Sequence, residues 1–260
     1  GLVMWHDAAT WGGSVPAADS DVTLPAGVKV LVTACSLPDA GFGKITIPAT
    51  SELIFDDAPV HLRAKAIDVN GGLFIGSKEC PIKSPITITL AATKAEQATY
   101  PNGLNVLGSG KADFFGWTQE RTWTRLKATA AAGHFAVVTL HPTTWAHGDE
   151  VVIATSIWKD TENDQNEVRR IVARDRANSS VLLLDRPLAF KHYAGHEYQS
   201  EIALLTRTIL LRGGTDAQSM HSDYYGGHTW AIGDAATYRM VGVRADRMGQ
   251  RNIMARYPFH

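Results

Sequence analysis

The chain has 260 residues, enough for one large domain or two smaller ones. Its 25 basic and 26 acidic side chains leave a formal net charge of −1. No stripe of Lys and Arg of the kind a nucleic acid or a membrane surface demands occurs along it, and no apolar run approaches the ~20 residues a spanning helix needs. The chain opens at Gly1-Leu2-Val3-Met4-Trp5 without a signal peptide, which implies a removed signal or an internal piece of a longer protein.

In chain order the pattern is one of short strands. Val28–Val32, Lys44–Ile47, Glu52–Phe55, Val60–Arg63, Ala66–Val69, Leu73–Ile75 and Ile86–Leu90 carry β-branched residues, several with period-two alternation. Turn residues separate them, as in Pro25-Ala26-Gly27, Pro38-Asp39-Ala40-Gly41, Asn70-Gly71-Gly72 and Pro101-Asn102-Gly103. Strands recurring about every ten residues point to a solenoid or a sandwich. Only Ala91–Ala98 tolerates helix, for a turn or two. The middle continues in strands: Leu104–Leu107, Ala112–Phe115, His134–Leu140, Glu150–Ala154, Glu167–Val172, Val181–Leu184, Glu201–Leu205 and Thr208–Leu211. Trp158 to Asn166, with Asp160, Glu162, Asn163 and Asp164, reads as an exposed polar loop. A boundary is expected after Arg212, leaving a first unit over 1–212 and a second over 213–260 with strands at Thr229–Ile232 and Tyr238–Val243.

Cys35 and Cys80 are far apart, which fits one disulfide in a secreted protein or two buried thiols in a cytosolic one. They lack the spacing of a zinc knuckle. Asn178-Ser179-Ser180 is an N-glycosylation acceptor in a turn-like setting. No phosphate cradle follows Gly71-Gly72 or Gly226-Gly227, since neither opens a helix. No serine or cysteine nucleophile stands beside a base, and no cofactor is expected.

The first unit resembles an extracellular domain family named for its eight glycines. The resemblance rests on Trp5-His6-Asp7, Thr10-Trp11-Gly12-Gly13, Gly71-Gly72-Leu73-Phe74-Ile75-Gly76, Trp117-Thr118, Trp123-Thr124-Arg125-Leu126, Trp145-Ala146-His147-Gly148-Asp149 and Glu201–Arg207. The second unit is similar to the start of the right-handed parallel β-helix that follows this domain in several families. These include the fibrocystin (polyductin) group and the transmembrane and secreted hyaluronidase-type, hyaluronan-binding proteins. Here the matching residues are Gly226-Gly227-His228, Met248-Gly249-Gln250 and Arg256-Tyr257-Pro258-Phe259-His260. The resemblance implies an all-β fold, a β-solenoid or sandwich-like domain followed by the first coils of a β-helix. It also implies an extracellular or cell-surface home, the setting in which the cysteine count fits a disulfide between Cys35 and Cys80 and the acceptor triplet fits glycosylation at Asn178. The chain is expected to be part of a larger polypeptide.

Two functions follow as alternatives. The first is a structural or glycan-binding module whose partners are a polysaccharide or another matrix component. The second is a hyaluronidase-like depolymerase, with His228, Asp234, Asp246, Arg256 and His260 as catalytic candidates. Glycoside hydrolysis ordinarily needs two carboxyl groups, and an arginine such as Arg256 would grip a uronate in a fork of two hydrogen bonds. The opposing reading is that Arg256 and the histidines only satisfy backbone carbonyls at coil corners. Trp158 is the tryptophan expected to be the best exposed for sugar stacking, most of the tryptophans of the first unit being expected in the core. His221-x-Asp223 with His228 has loosely metal-like spacing, but no metal site is expected there. His192 and His196 are four apart with Gly195 between them, which favours a structural corner over a zinc-binding helix.

Overall fold

The computed structural model describes residues 1–158, 164–175, 178–214 and 224–260. Asp160, Glu162 and Asn163 of the expected polar loop, and His221 and Asp223, lie outside the described residues. The molecule is all-β and forms two compact units, one of Gly1–Trp117 with Arg207–His260 and one of Thr118–Thr206.

The first unit is a parallel β-helix with three faces. Strands on each face pair in parallel with the equivalent strand of the next coil. Such crossover connections are right-handed almost without exception. On one face Leu2–Met4, Lys29–Val32, Glu52–Phe55, Gly72–Ile75, Lys111–Phe115 and Thr237–Val241 lie in that order. On the second face Val22, Ile45, Ile67, Leu104 and Thr229 stand above one another. On the third, Leu62, Ile88, Leu211 and Ala245 do so. The ten-residue strand Val60–Val69 turns the corner between two faces: its first half pairs with Ile86–Leu90 and its second with Leu104–Val106. Small, fully buried Ala64 and Ala66 sit at that corner.

Alternation explains the stacking. Side chains of one strand point alternately in and out, so a fixed register stacks like on like from coil to coil. Val30, Leu53, Leu73 and Ala112 form one buried ladder, and Val32, Phe55, Ile75 and Phe114 another. Each fully buried Leu, Val or Phe contributes about 1.5–3 kcal/mol by leaving water. Facing outward, Lys29 pairs with Glu52 at 2.9 Å, and Asn105 donates to Asp68 at 2.8 Å.

The second unit is an antiparallel barrel of six strands with its own core around Trp145, Leu126, Ile171, Leu182 and Ile202. The sheet runs from Trp123–Arg125 at one end to Ala136–Val138 at the other. It closes because Leu126 bridges Thr139, while Lys127 N–H donates to the Val138 carbonyl at 2.8 Å and Leu140 N–H to that of Arg125 at 2.7 Å. Closure removes the free strand edges that invite aggregation. The barrel is an excursion from a single coil. Trp117 N–H (2.7 Å) and Thr208 Oγ1 (2.9 Å) both donate to the Ile82 carbonyl, so the chain leaves and rejoins the β-helix at one point.

Two expectations need revision. The compact units do not divide at residue 212, because residues after 213 add strands to faces begun in the first 117, as Thr237–Val241 does on Lys111–Phe115. The β-helix therefore already includes the strand Leu2–Met4, which pairs in parallel with Lys29–Val32. Cys35 and Cys80 are not bridged; both are exposed free thiols. Each sits in its own tight turn, the first closed by Ser36 N–H on the Thr33 carbonyl (3.2 Å) and the second by Ser77 N–H on that of Cys80 (3.0 Å).

Candidate functional site

The residues that the sequence singled out near its end meet on the second face of the β-helix. The strand His228–Ile232 pairs in parallel with Gly103–Leu107, which sets His228 directly above Gly103. That glycine makes room for the imidazole, since a Cβ there would lie 2.4 Å from His228 Cε1. The next pass, Arg256–His260, lies along the strand. Ala231 N–H donates to the His260 carbonyl at 3.0 Å, and Thr229 Oγ1 to the Pro258 carbonyl at 2.9 Å.

Two amide side chains secure the corner beneath. Asn102, in the left-handed region at φ 59°, accepts from Ala92 N–H (3.0 Å) and donates to the Gly226 carbonyl (3.1 Å). Gln250 Nε2 donates to the carbonyls of Pro101 and Gly226, both at 3.0 Å. These bonds use both hydrogens of the Gln250 amide. Its 3.5 Å approach to His228 Nδ1 is therefore a contact and not a further hydrogen bond.

His228 is fully buried. Arg256 Nη1 lies 2.7 Å from His228 Nε2. A guanidinium can only donate, so Nε2 accepts and the ring proton sits on Nδ1. Burial, aided by the Arg256 charge, pushes the His228 pKa down to about 3. Arg256 is itself half-buried, and its guanidinium carbon lies 4.2 Å from the centroid of the Trp230 ring. Trp230 packs edge-on against His228 at 4.9 Å, and its indole N–H is held by the Ala255 carbonyl. Among the described residues, Arg256 has no carboxylate partner.

The other candidates lie apart from this cluster. Asp234 is exposed in the loop after Ile232. Asp246 ends a strand of the third face, in register with Arg212, and lies 3.3 Å from Arg247 Nε. His260 is exposed, its ring 5.2 Å from that of Tyr257. Among the described residues, no carboxylate hydrogen-bonds to His228 or Arg256. Trp158 is 86% exposed in the second unit. Asn178 is exposed, its side chain accepting from Ser180 N–H at 3.1 Å. His192 is fully buried, with Nε2 2.9 Å from Glu167 and Nδ1 2.9 Å from the Ala154 carbonyl.

Sequence reasoning did not single out Trp230 as the guanidinium's platform or Asn102 as a corner pin. Alternation carried the first signal, since positions 228 and 230 share one side of a strand. The Pro101-Asn102-Gly103 turn carried the second, since Asn is among the few non-glycine residues that settle in the left-handed region.

A cleft of about 560 Å³ lies beside the cluster, lined by Lys94, Gln97, Tyr224, Tyr225, Arg251 and Ile253. The Arg251 guanidinium stacks over Tyr224 at 4.8 Å, and Tyr224 is 52% exposed. Burial raises the pKa of Tyr225.

Comparison with known proteins places the chain. Residues 10–127 match the G8 domain. A G8 domain-containing protein of Dictyostelium discoideum is 36% identical over 100% of this chain and 19% of its own length. Communication mutant protein F of the same organism is 33% identical over 100% of this chain and 23% of its own. Fibrocystin-L of Mus musculus is 27% identical over 99% of this chain and 7% of its own. The chain thus spans about a fifth of the Dictyostelium proteins and far less of fibrocystin-L. A bacteriophage tailspike in complex with a capsular saccharide superposes with a TM-score of 0.29 at 7% identity, over 79% of this chain and 29% of that one, a likeness too slight to inform function. Over residues 10–127 the chain is similar to the G8 domain, and along its whole length it is similar to segments of larger G8 domain-containing proteins.

Proposed function

We propose that this chain is a glycan-binding module of a larger secreted or cell-surface protein, and that it holds an acidic polysaccharide without cutting it. The observation that carries this reading is the state of Arg256. Its guanidinium is braced flat on Trp230 and tied at one nitrogen to a neutral histidine, with no carboxylate partner among the described residues. A guanidinium offers five donors, so further donors remain for a uronate or a similar anion. The neighbouring cleft adds an exposed aromatic face at Tyr224 and the cations Lys94 and Arg251. Pyranose rings stack on such faces, while the cations attract the charge.

The depolymerase alternative draws less support. It needs a carboxylic acid at the scissile oxygen and a second carboxylate opposite. Asp234 and Asp246 stand on a loop and on another face, and neither bonds to the cluster. His228 is a poor proton donor at neutral pH, since its Nε2 accepts from Arg256 and its pKa is depressed to about 3. The expected secretion draws support from the exposed Asn178 acceptor and the fibrocystin-L relative, though the free thiols give it none.

Retention on a panel of immobilised neutral and acidic glycans tests the reading. Saturable retention on acidic members, weakened by Arg256→Ala, is the expected result. Equal retention on neutral and acidic glycans, or none on any, would overturn it.

A further inference from the structure

We propose that the barrel carries a second binding site, for an acidic saccharide, at the seam where its first and last strands meet. This inference stands on barrel residues alone and does not rest on the reading of Arg256.

The site is a cleft of about 370 Å³ lined by Arg121, Trp123, Thr124, Arg125, Leu140 and His141. Strand alternation buries Thr124 in the barrel and turns Trp123 and Arg125 outward together. Trp123 is 53% exposed and Leu140 42%, so the indole lies open beside the cations. Among the described residues neither Arg121 nor Arg125 has an ion-pair partner. Glu201 stands opposite Arg125 across the ladder but forms no salt bridge with it.

The backbone beneath the site is fixed by bonds of the closed barrel. The fully buried Trp145 donates its indole N–H to the Arg121 carbonyl at 2.7 Å. Leu140 N–H holds the Arg125 carbonyl at 2.7 Å. Thr139, also fully buried, donates its hydroxyl to the His141 carbonyl at 2.7 Å. Every basic residue of the cleft is thus anchored at its main chain while its side chain stays exposed. Anchoring of this kind lowers the ordering cost of binding.

The chemistry selects the ligand class. An open indole stacks on the apolar face of a sugar ring. Two guanidinium forks beside it match a carboxylate or a sulfate. The cleft lies at the small end of the range for ligand sites, about 300–1,000 Å³, which suits one or two sugar units. A nucleic acid would need a longer basic track than these three side chains provide.

Calorimetric titration of the whole chain at low ionic strength tests the proposal. The probes are a hyaluronan tetrasaccharide (carboxylate only), a heparin tetrasaccharide (sulfated) and a neutral tetramer of N-acetylglucosamine. At least one acidic probe should bind at least tenfold more tightly than the neutral one, and which of the two binds identifies uronate or sulfate as the anion. The paired change Arg121→Gln with Arg125→Gln should weaken that binding at least tenfold, while Glu201→Gln, which removes the opposing charge, should tighten it. Arg256→Ala should leave this binding event in place. Equal affinity for the neutral probe, or an unaltered affinity in both the paired variant and Glu201→Gln, overturns the proposal. Loss of all binding in Arg256→Ala with none lost in the arginine pair also overturns it, and leaves the proposed function standing.

Discussion

At the scale of single residues, burial decides which histidines matter to stability. His228 is held neutral, with a folded pKa of about 3 against an ordinary value of 6.5. Below pH 6.5 the unfolded chain takes up a proton that the folded chain refuses, so stability is intact above that pH and is lost progressively towards pH 3. The shift corresponds to several kcal/mol at most, about 1.4 kcal/mol per pH unit. Acid denaturation profiles should show this loss, and His228→Gln should flatten it; an unchanged slope between pH 6 and pH 4 would count against the assignment. Glu167 has the opposite role in the barrel. Its buried carboxylate is hydrogen-bonded by Ala189 N–H, Phe190 N–H and His192 and is paired with Arg169, which together hold its pKa below the ordinary value despite burial. Replacing it leaves Arg169 buried without its charge partner, so Glu167→Ala should cost about 3–5 kcal/mol in denaturant titration. The cysteines give a simpler check. As exposed thiols, Cys35 and Cys80 should both react with a thiol reagent in the folded, unreduced protein, and resistance until reduction would restore the expected bridge.

At the scale of elements, the ladder of coils makes one glycine decisive. Gly103 lies under His228, and an added Cβ would fall 2.4 Å from the ring. Gly103→Ala should therefore displace the imidazole, break its bond to Arg256 and lower stability by about 1–3 kcal/mol, the usual cost of overpacking. A thermal melt compared with Gly108→Ala, where the backbone is left-handed at φ 64° but nothing lies within 4 Å of an added Cβ, would separate overpacking from backbone strain. The strands themselves were largely legible. Glu52–Phe55, Ile86–Leu90 and Val181–Leu184 fall where alternation and turn residues place them. The helix-tolerant window holds only the 3₁₀ turn Lys94–Glu96, capped by Thr93. Leu2–Met4, Val22–Thr23 and Trp123–Arg125 escaped notice because two or three residues carry no period. Val60–Val69 reads as two strands because Ala64-Lys65-Ala66 interrupts the β-branched run, whereas the backbone passes through the corner without a break.

At the scale of the whole molecule, topology was the part hidden from the sequence. Period-two alternation shows which residues face inward but says nothing about which strand is the neighbour, because parallel partners here are set by coil spacing that changes at every loop. The long gap between Lys111–Phe115 and Thr237–Val241, which pair directly, is invisible to any local pattern. The candidate site was half legible: His228 and Arg256, both candidates from the sequence, lie within hydrogen-bond distance of each other, but Asp234 and Asp246 do not join them, since proximity in sequence fails across a corner. Two cores imply two separable responses. Phe114→Ala, in the β-helix core, and Leu182→Ala, in the barrel core, should each cost about 2–5 kcal/mol. Calorimetry should show each substitution lowering a different transition, and a single transition shifted equally by both would mean that the units unfold as one.

Size-exclusion chromatography with light scattering, run on hyaluronan of defined length mixed with the protein, tests most directly whether the chain holds an acidic polymer without cutting it. Protein co-eluting with a polymer of unchanged mass is the expected result. A shortened polymer, or a polymer that elutes free of protein, would contradict it.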